Sequence, residues 1–134
     1  MLAGAPISWS SKRQSETAMS SCEAEYIALT AAIKEALWLR DVLRECGVPQ
    51  VGPTPMYQDN QSTILLSQNP IFHSRTKHIG LAFHYAREKQ RQGHVQVEYV
   101  PTLEQGADYL TKNTPVQIQS TCMEIVGQRD APRG

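Results

Sequence analysis

Ser20-Ser21-Cys22-Glu23-Ala24-Glu25-Tyr26 opens the longest run of helix-patterned sequence in the chain, and its reading decides what the remaining segments must pack against. Ser20 with Glu23 three residues on has the spacing of a capping box, which predicts a helix beginning at Ser21. No Pro or Gly interrupts the run before Cys46. Gly47 then offers a C-terminal stop and Pro49 prevents resumption. At about 100° per residue, one side of this helix collects Glu23, Thr30, Lys34, Asp41 and Glu45. The opposite side collects Ala28, Leu29, Ala32, Ala36, Leu39 and Leu43, and the three alanines would let it lie close on a sheet. Glu25 falls in the middle of that apolar stripe. Glu23 has a structural task at the cap, where its charge suits the helix dipole. A carboxylate at Glu25 is costly unless it stays wet at the sheet edge, is paired, or binds a metal. The metal reading needs partner carboxylates elsewhere.

The totals bound the answer. A chain of 134 residues has room for one domain with a modest core. Its apolar fraction of 40% and charged fraction of 19% suit a soluble globular protein. Thirteen basic and thirteen acidic residues give no net charge, so no global field draws the chain to nucleic acid. The three cysteines, Cys22, Cys46 and Cys122, are odd in number and lack CxxC spacing. They point to a reducing compartment, and to neither a zinc site nor a disulfide framework. No apolar run reaches membrane-spanning length and the N-terminus lacks a signal-peptide pattern. The expectation is an intracellular protein, cytoplasmic or nuclear and not secreted, without a membrane partner.

Outward from the first helix, Ile7 and Trp9 alternate with Ser8 and Ser10 as in a strand at about 5–12. After the helix, Val48 to Pro55 holds three prolines and a glycine and reads as a loop. Pro55-Met56-Tyr57-Gln58-Asp59 is then a short strand ending in an acid, and Asn60 to Ser67 a helix. An aspartate at a strand-to-helix junction is often an N-cap. Asn60 can take that role and leave Asp59 at the carboxyl end of a strand, where ligands sit in open α/β sheets.

Residues 73–92 concentrate basic charge: His73, Arg75, Lys77, His78, His84, Arg87, Lys89 and Arg91, against Glu88 alone. Thr76 can cap a helix from Lys77 to about Gln92, which Gly93 ends. Such a helix is either a solvated face or a phosphate-tracking surface. His94 to Val100 alternates cleanly as a strand closed by Pro101. Thr102 and Gln105 make a second capping box, predicting a helix over Leu103–Lys112. On it Glu104 and Asp108 would be a like-charge pair four apart. Beyond Thr114 the chain is Gln-rich with scattered apolar residues, and 114–134 is expected to be an irregular, disordered tail following one domain over 1–113. Glu25, Asp59 and Asp108, drawn from separate elements, make one candidate cluster. Carboxylates of this kind suit Mg²⁺, and two such ions about 3.5–4 Å apart can drive phosphodiester hydrolysis.

Particular stretches carry a further signal. Trp9-Ser10-Ser11-Lys12-Arg13-Gln14, Ser20 to Leu29, Glu35-Ala36-Leu37-Trp38-Leu39-Arg40, Asp59-Asn60-Gln61-Ser62, Arg75-Thr76-Lys77-His78-Ile79, Glu98-Tyr99-Val100-Pro101-Thr102 and Ala107-Asp108-Tyr109-Leu110-Thr111-Lys112 closely resemble the RNase H domain of copia-type LTR retrotransposons. They occur in that family's order from about Gly4 to Lys112. The resemblance implies an RNase H-like α/β fold, a mixed sheet flanked by helices, at the C-terminal end of a Pol polyprotein downstream of its reverse transcriptase. It implies endonucleolytic cleavage of RNA in an RNA–DNA hybrid with two Mg²⁺ ions held by four carboxylates. Position by position, Glu25, Asp59 and Asp108 match three of the four. The basic residues Arg75, Lys77, His78, Arg87, Lys89 and Arg91 would lie near the hybrid backbone.

One departure from the pattern matters. The family's first aspartate lies on its first strand, and no acid precedes Glu16 in this sequence. The expectation is therefore a partial domain lacking the first two strands and the carboxylate that bridges both metals. It would be inactive as this chain, doubtful as a Mg²⁺ binder, or retained as a non-catalytic nucleic-acid-binding remnant or domesticated module.

Overall fold

The computed structural model of the chain describes residues 6–11, 21–68, 77–110, 115–125 and 127. It divides into two compact units. Glu16–Tyr99 forms one, and Val100–Gly134 together with Met1–Ser15 forms the other.

The larger unit carries helix α1 (Ser21–Glu45), strand β1 (Thr54–Gln58), helix α2 (Gln61–Gln68), helix α3 (Lys77–Arg91) and strand β2 (Val95–Tyr99). β1 and β2 pair in parallel, Thr54 opposite Val95 through to Gln58 opposite Tyr99. Parallel neighbours need a crossover connection, and here α2 and α3 supply it. The architecture is mixed α/β with a small two-stranded parallel sheet.

Both long helices stop by one device. At the end of α1, Gly47 N–H donates to Arg44 O and Val48 N–H to Leu43 O, with Gly47 at φ 80°. At the end of α3, Gly93 N–H donates to Gln90 O and His94 N–H to Lys89 O, with Gly93 at φ 72°. These are Schellman closures, which need the left-handed conformation that glycine adopts without steric cost. Arg40 then ties the loop after α1 to the sheet. Its guanidinium donates to Thr54 Oγ1 at 2.9 Å and to the Gln50 carbonyl at 3.0 Å. Ser20 and Thr76, the expected caps of α1 and α3, lie outside the described residues.

The core face of α1 is rotated from the one expected. Tyr26, Leu29, Thr30 and Ile33 are its buried residues, with Leu37 packed alongside, whereas Ala28 and Ala32 do not join the buried cluster. Area explains the choice. Burying a side chain of isoleucine size contributes about 1.5–3 kcal/mol, more than an alanine methyl can. Thr30, expected on the polar side, is buried because its hydroxyl donates to the Ala82 carbonyl at 3.4 Å, joining α1 to α3. The cluster is completed by Phe83 and Ala86 from α3 and by Val95 and Val97 from β2. Tyr26 and Phe83 stack at its centre, ring centroids 3.9 Å apart and tilted by 32°.

The smaller unit corrects three expectations. Residues 6–11 form no strand, having no ladder partner among the described residues. The helix expected over Leu103–Lys112 is instead two 3-10 turns, Thr102–Glu104 and Gly106–Leu110. Gln105 takes an extended conformation between them, and Pro101, not Thr102, stands at the cap position, with no side-chain hydrogen bond. Glu104 and Asp108 therefore do not share one α-helical face. The stretch 114–134, expected to be irregular, contains helix α4 (Val116–Ile125). It starts on Pro115, whose carbonyl accepts from Gln119 N–H at 2.9 Å. Its Cys122 is buried, with Sγ 3.8 Å from the Gln105 carbonyl. Among the described residues no helix is long and apolar enough to cross a membrane.

Tyr26 carries a liability. Its hydroxyl is enclosed and finds no hydrogen-bond partner among the described residues. Burial pushes the phenol up to about 12 from its ordinary 10.0, opposed in part by the positive charge of Arg87. The fold therefore favours the neutral phenol. That preference costs nothing below pH 10.0 and erodes stability as pH rises from there to about 12, by a loss on the order of 2–3 kcal/mol. Tyr26→Phe should leave the chain as stable or more stable at neutral pH, by about 1 kcal/mol. It should also flatten the alkaline loss, as read by denaturant unfolding across that window.

Candidate metal and nucleic-acid site

Asp59 immediately follows β1, so it stands at the rim where the carboxyl ends of both parallel strands lie together. Asn60 caps α2: its Oδ1 accepts from Thr63 N–H at 3.2 Å. Gln58, buried at the strand end, accepts from Asn60 N–H through Oε1 at 3.1 Å. The cap is thus filled by Asn60, and the half-buried Asp59 carboxylate is not spent on it. Gln58 is a residue that the sequence reading misses. Its position at the end of an alternating strand, just before Asp-Asn, is the available signal.

The starts of α1 and α2 adjoin, because Cys22 Sγ and Thr63 Oγ1 are hydrogen-bonded at 3.6 Å. Glu25 lies one turn further along α1. It is half-buried on the flank of the core stripe and not at its centre, since that stripe is turned toward Tyr26 and Ile33. Asp108 lies in the second 3-10 turn of the smaller unit, its N–H donating to Gln105 O at 3.1 Å. Among the described residues no three His, Cys, Asp or Glu side chains form a group that could hold a metal ion. Glu25 and Asp59 belong to the larger unit and Asp108 to the smaller one.

The basic set is dispersed along α3. Arg75 and the side chains of Lys77 and His78 lie outside the described residues. Arg91 is exposed, as is His84. Arg87 is half-buried with its Nε enclosed, and it faces Tyr26 closely enough to oppose the rise in that phenol's pKa. It is the poorest candidate of the set for a phosphate contact. Lys89 is half-buried, its ammonium 5.6 Å from the centroid of the Tyr85 ring.

A small parallel sheet with an acid at its carboxyl rim and a basic crossover helix defines an α/β chain with a polar rim. Comparison with known proteins says more. The chain is 44% identical over 124 residues to the retrovirus-related Pol polyprotein from transposon TNT 1-94 of Nicotiana tabacum, a match covering 92% of this chain and 9% of that protein. It is 43% and 42% identical over 107 residues to the retrovirus-related Pol polyproteins from transposons RE2 and RE1 of Arabidopsis thaliana. Each of those matches covers 80% of this chain and 7% of the relative. Homologues of this chain are therefore retrovirus-related Pol polyproteins, and it spans less than a tenth of their length. No family model matches it, and no solved structure gives a significant match.

The cap assignment separates two neighbouring polar residues. Asn60→Ala should destabilise the chain by about 1 kcal/mol through loss of the α2 cap. Asp59→Asn should change stability by less than about 0.5 kcal/mol. Thermal or denaturant unfolding of the two variants checks the order.

Proposed function

We propose that the chain is the RNase H portion of a copia-type retrotransposon Pol polyprotein, following a reverse transcriptase part. The family activity is Mg²⁺-dependent cleavage of the RNA strand in an RNA–DNA hybrid. The observation that carries this reading is the set of motifs around Glu25, Asp59 and Asp108, in family order, within a chain homologous to Pol polyproteins at 42–44% identity. The placement of Asp59 at a carboxyl rim, with the cap duty taken by Asn60, supports it locally.

On this reading the stretch does not cut hybrids by itself. The family holds its metals with four carboxylates, and Glu25, Asp59 and Asp108 match three of them. What it retains is the basic helix α3, with Lys89 and Arg91 in its last turn. That combination favours a second reading, a module that holds nucleic acid without chemistry.

The test compares the chain alone with the same chain expressed in continuity with the preceding part of its polyprotein. Alone, it should leave an RNA–DNA hybrid intact in Mg²⁺. In the longer protein, cleavage should appear and fall by at least about 100-fold in Glu25→Gln, Asp59→Asn or Asp108→Asn, since losing a ligand costs no less than losing its outer-shell support. Cleavage by the chain alone would overturn the first expectation. A longer protein that binds hybrid without cutting it would favour the non-catalytic module.

A further inference from the structure

We propose that Lys34, Tyr85 and Lys89 form a phosphodiester-binding clamp that carries the basic surface of α3 across onto α1. The proposal rests on the nucleic-acid-binding part of the function proposed above. Its geometry begins with the hydrogen bond from Thr30 Oγ1 to the Ala82 carbonyl, which fixes where the two helices cross. One turn along α1 from Thr30 is Lys34, and three residues along α3 from Ala82 is Tyr85. Tyr85 is half-buried and packs against the core cluster, so its ring is held in place. The Lys34 ammonium lies 5.5 Å from the ring centroid and the Lys89 ammonium 5.6 Å, both within cation–π reach. The two ammoniums are thus at most 11.1 Å apart, the sum of those distances.

Nearby acids do not neutralise them. Glu88 accepts from Gln92 Nε2 at 2.9 Å, and Lys89 donates to Gln92 Oε1 at 3.0 Å, so an amide stands between that carboxylate and that ammonium. Among the described residues neither Lys34 nor Lys89 forms an ion pair, whereas Arg44 pairs with Asp41 at 2.9 Å. Two cations therefore lie against one ring without an ion pair among the described residues, and Lys34 is exposed. An anion with regularly spaced charges suits such a pair, and a nucleic-acid backbone is such an anion. Spacing along α1 puts Lys34 on the polar side with no role; only the crossing of two helices pairs it with Lys89.

The experiment measures binding of a fluorescent RNA–DNA hybrid to the full chain over a range of salt. The forms compared are the unaltered chain, Lys34→Gln, Lys89→Gln, the double variant, and Arg44→Gln as a cation outside the clamp. Circular dichroism confirms that each is folded. The double variant should bind at least about 10-fold more weakly at low salt. Its slope of log affinity against log salt should be shallower by about 1.8, at about 0.9 for each phosphate no longer neutralised, while Arg44→Gln keeps the original slope. Salt-dependent binding that the double variant leaves unchanged would overturn the clamp and leave the proposed function standing. Absence of any hybrid binding by the unaltered chain at low salt would overturn both. Displacement of the hybrid by polyglutamate as effectively as by unlabelled hybrid would overturn the clamp in favour of an acidic protein partner.

Discussion

Two parallel strands cannot be closed by a tight turn, and most of the larger unit follows from that constraint. The chain that returns from Gln58 to Val95 must climb back along the sheet, and it does so through α2 and α3. Those helices then cover the strand face that carries Met56, Val95 and Val97, and α1 closes the same core from outside. Because the strands point the same way, their carboxyl ends fall together, and Asp59 arrives at a shared rim. The pairing thus positions the acid and the basic crossover helix in one step.

Within that frame, α1 is oriented by the size of its side chains more than by their count. Six apolar positions lie on the expected face, but Tyr26, Ile33 and Leu37 offer larger areas on a neighbouring one. Turning toward them buries Thr30 as well, which is tolerable only because the Ala82 carbonyl accepts its hydroxyl. The same rotation moves Glu25 off the centre of the stripe to its flank, and brings Lys34 round to Tyr85.

Much of this was legible in the residues. Alternation marks β2, the run from Ser21 marks α1, and Gly47 and Gly93 mark where two helices stop. Asn60 after Asp59 foretells which of the two caps α2. Other features were not legible, for identifiable reasons. Gln-rich composition masks the α4 segment, although Ile118 and Cys122 four apart already carry a helical period. Thr102 and Gln105 have capping-box spacing, yet Gly106 inside the run weakens the helix enough for two 3-10 turns to win. The convergence of acids, and of cations on Tyr85, depends on which elements touch. Spacing along one chain does not encode that distance.

The three free cysteines have a practical use in their graded shielding. Cys46 stands in the open at the end of α1, Cys22 is half-covered beside Thr63, and Cys122 is buried on α4 against the Gln105 carbonyl. An alkylating reagent would meet them in that sequence, the first at once and the others only as their surroundings open. Because Cys22 belongs to the sheet-bearing unit and Cys122 to the other, the molecule carries its own pair of chemical clocks, one for the breathing of each half.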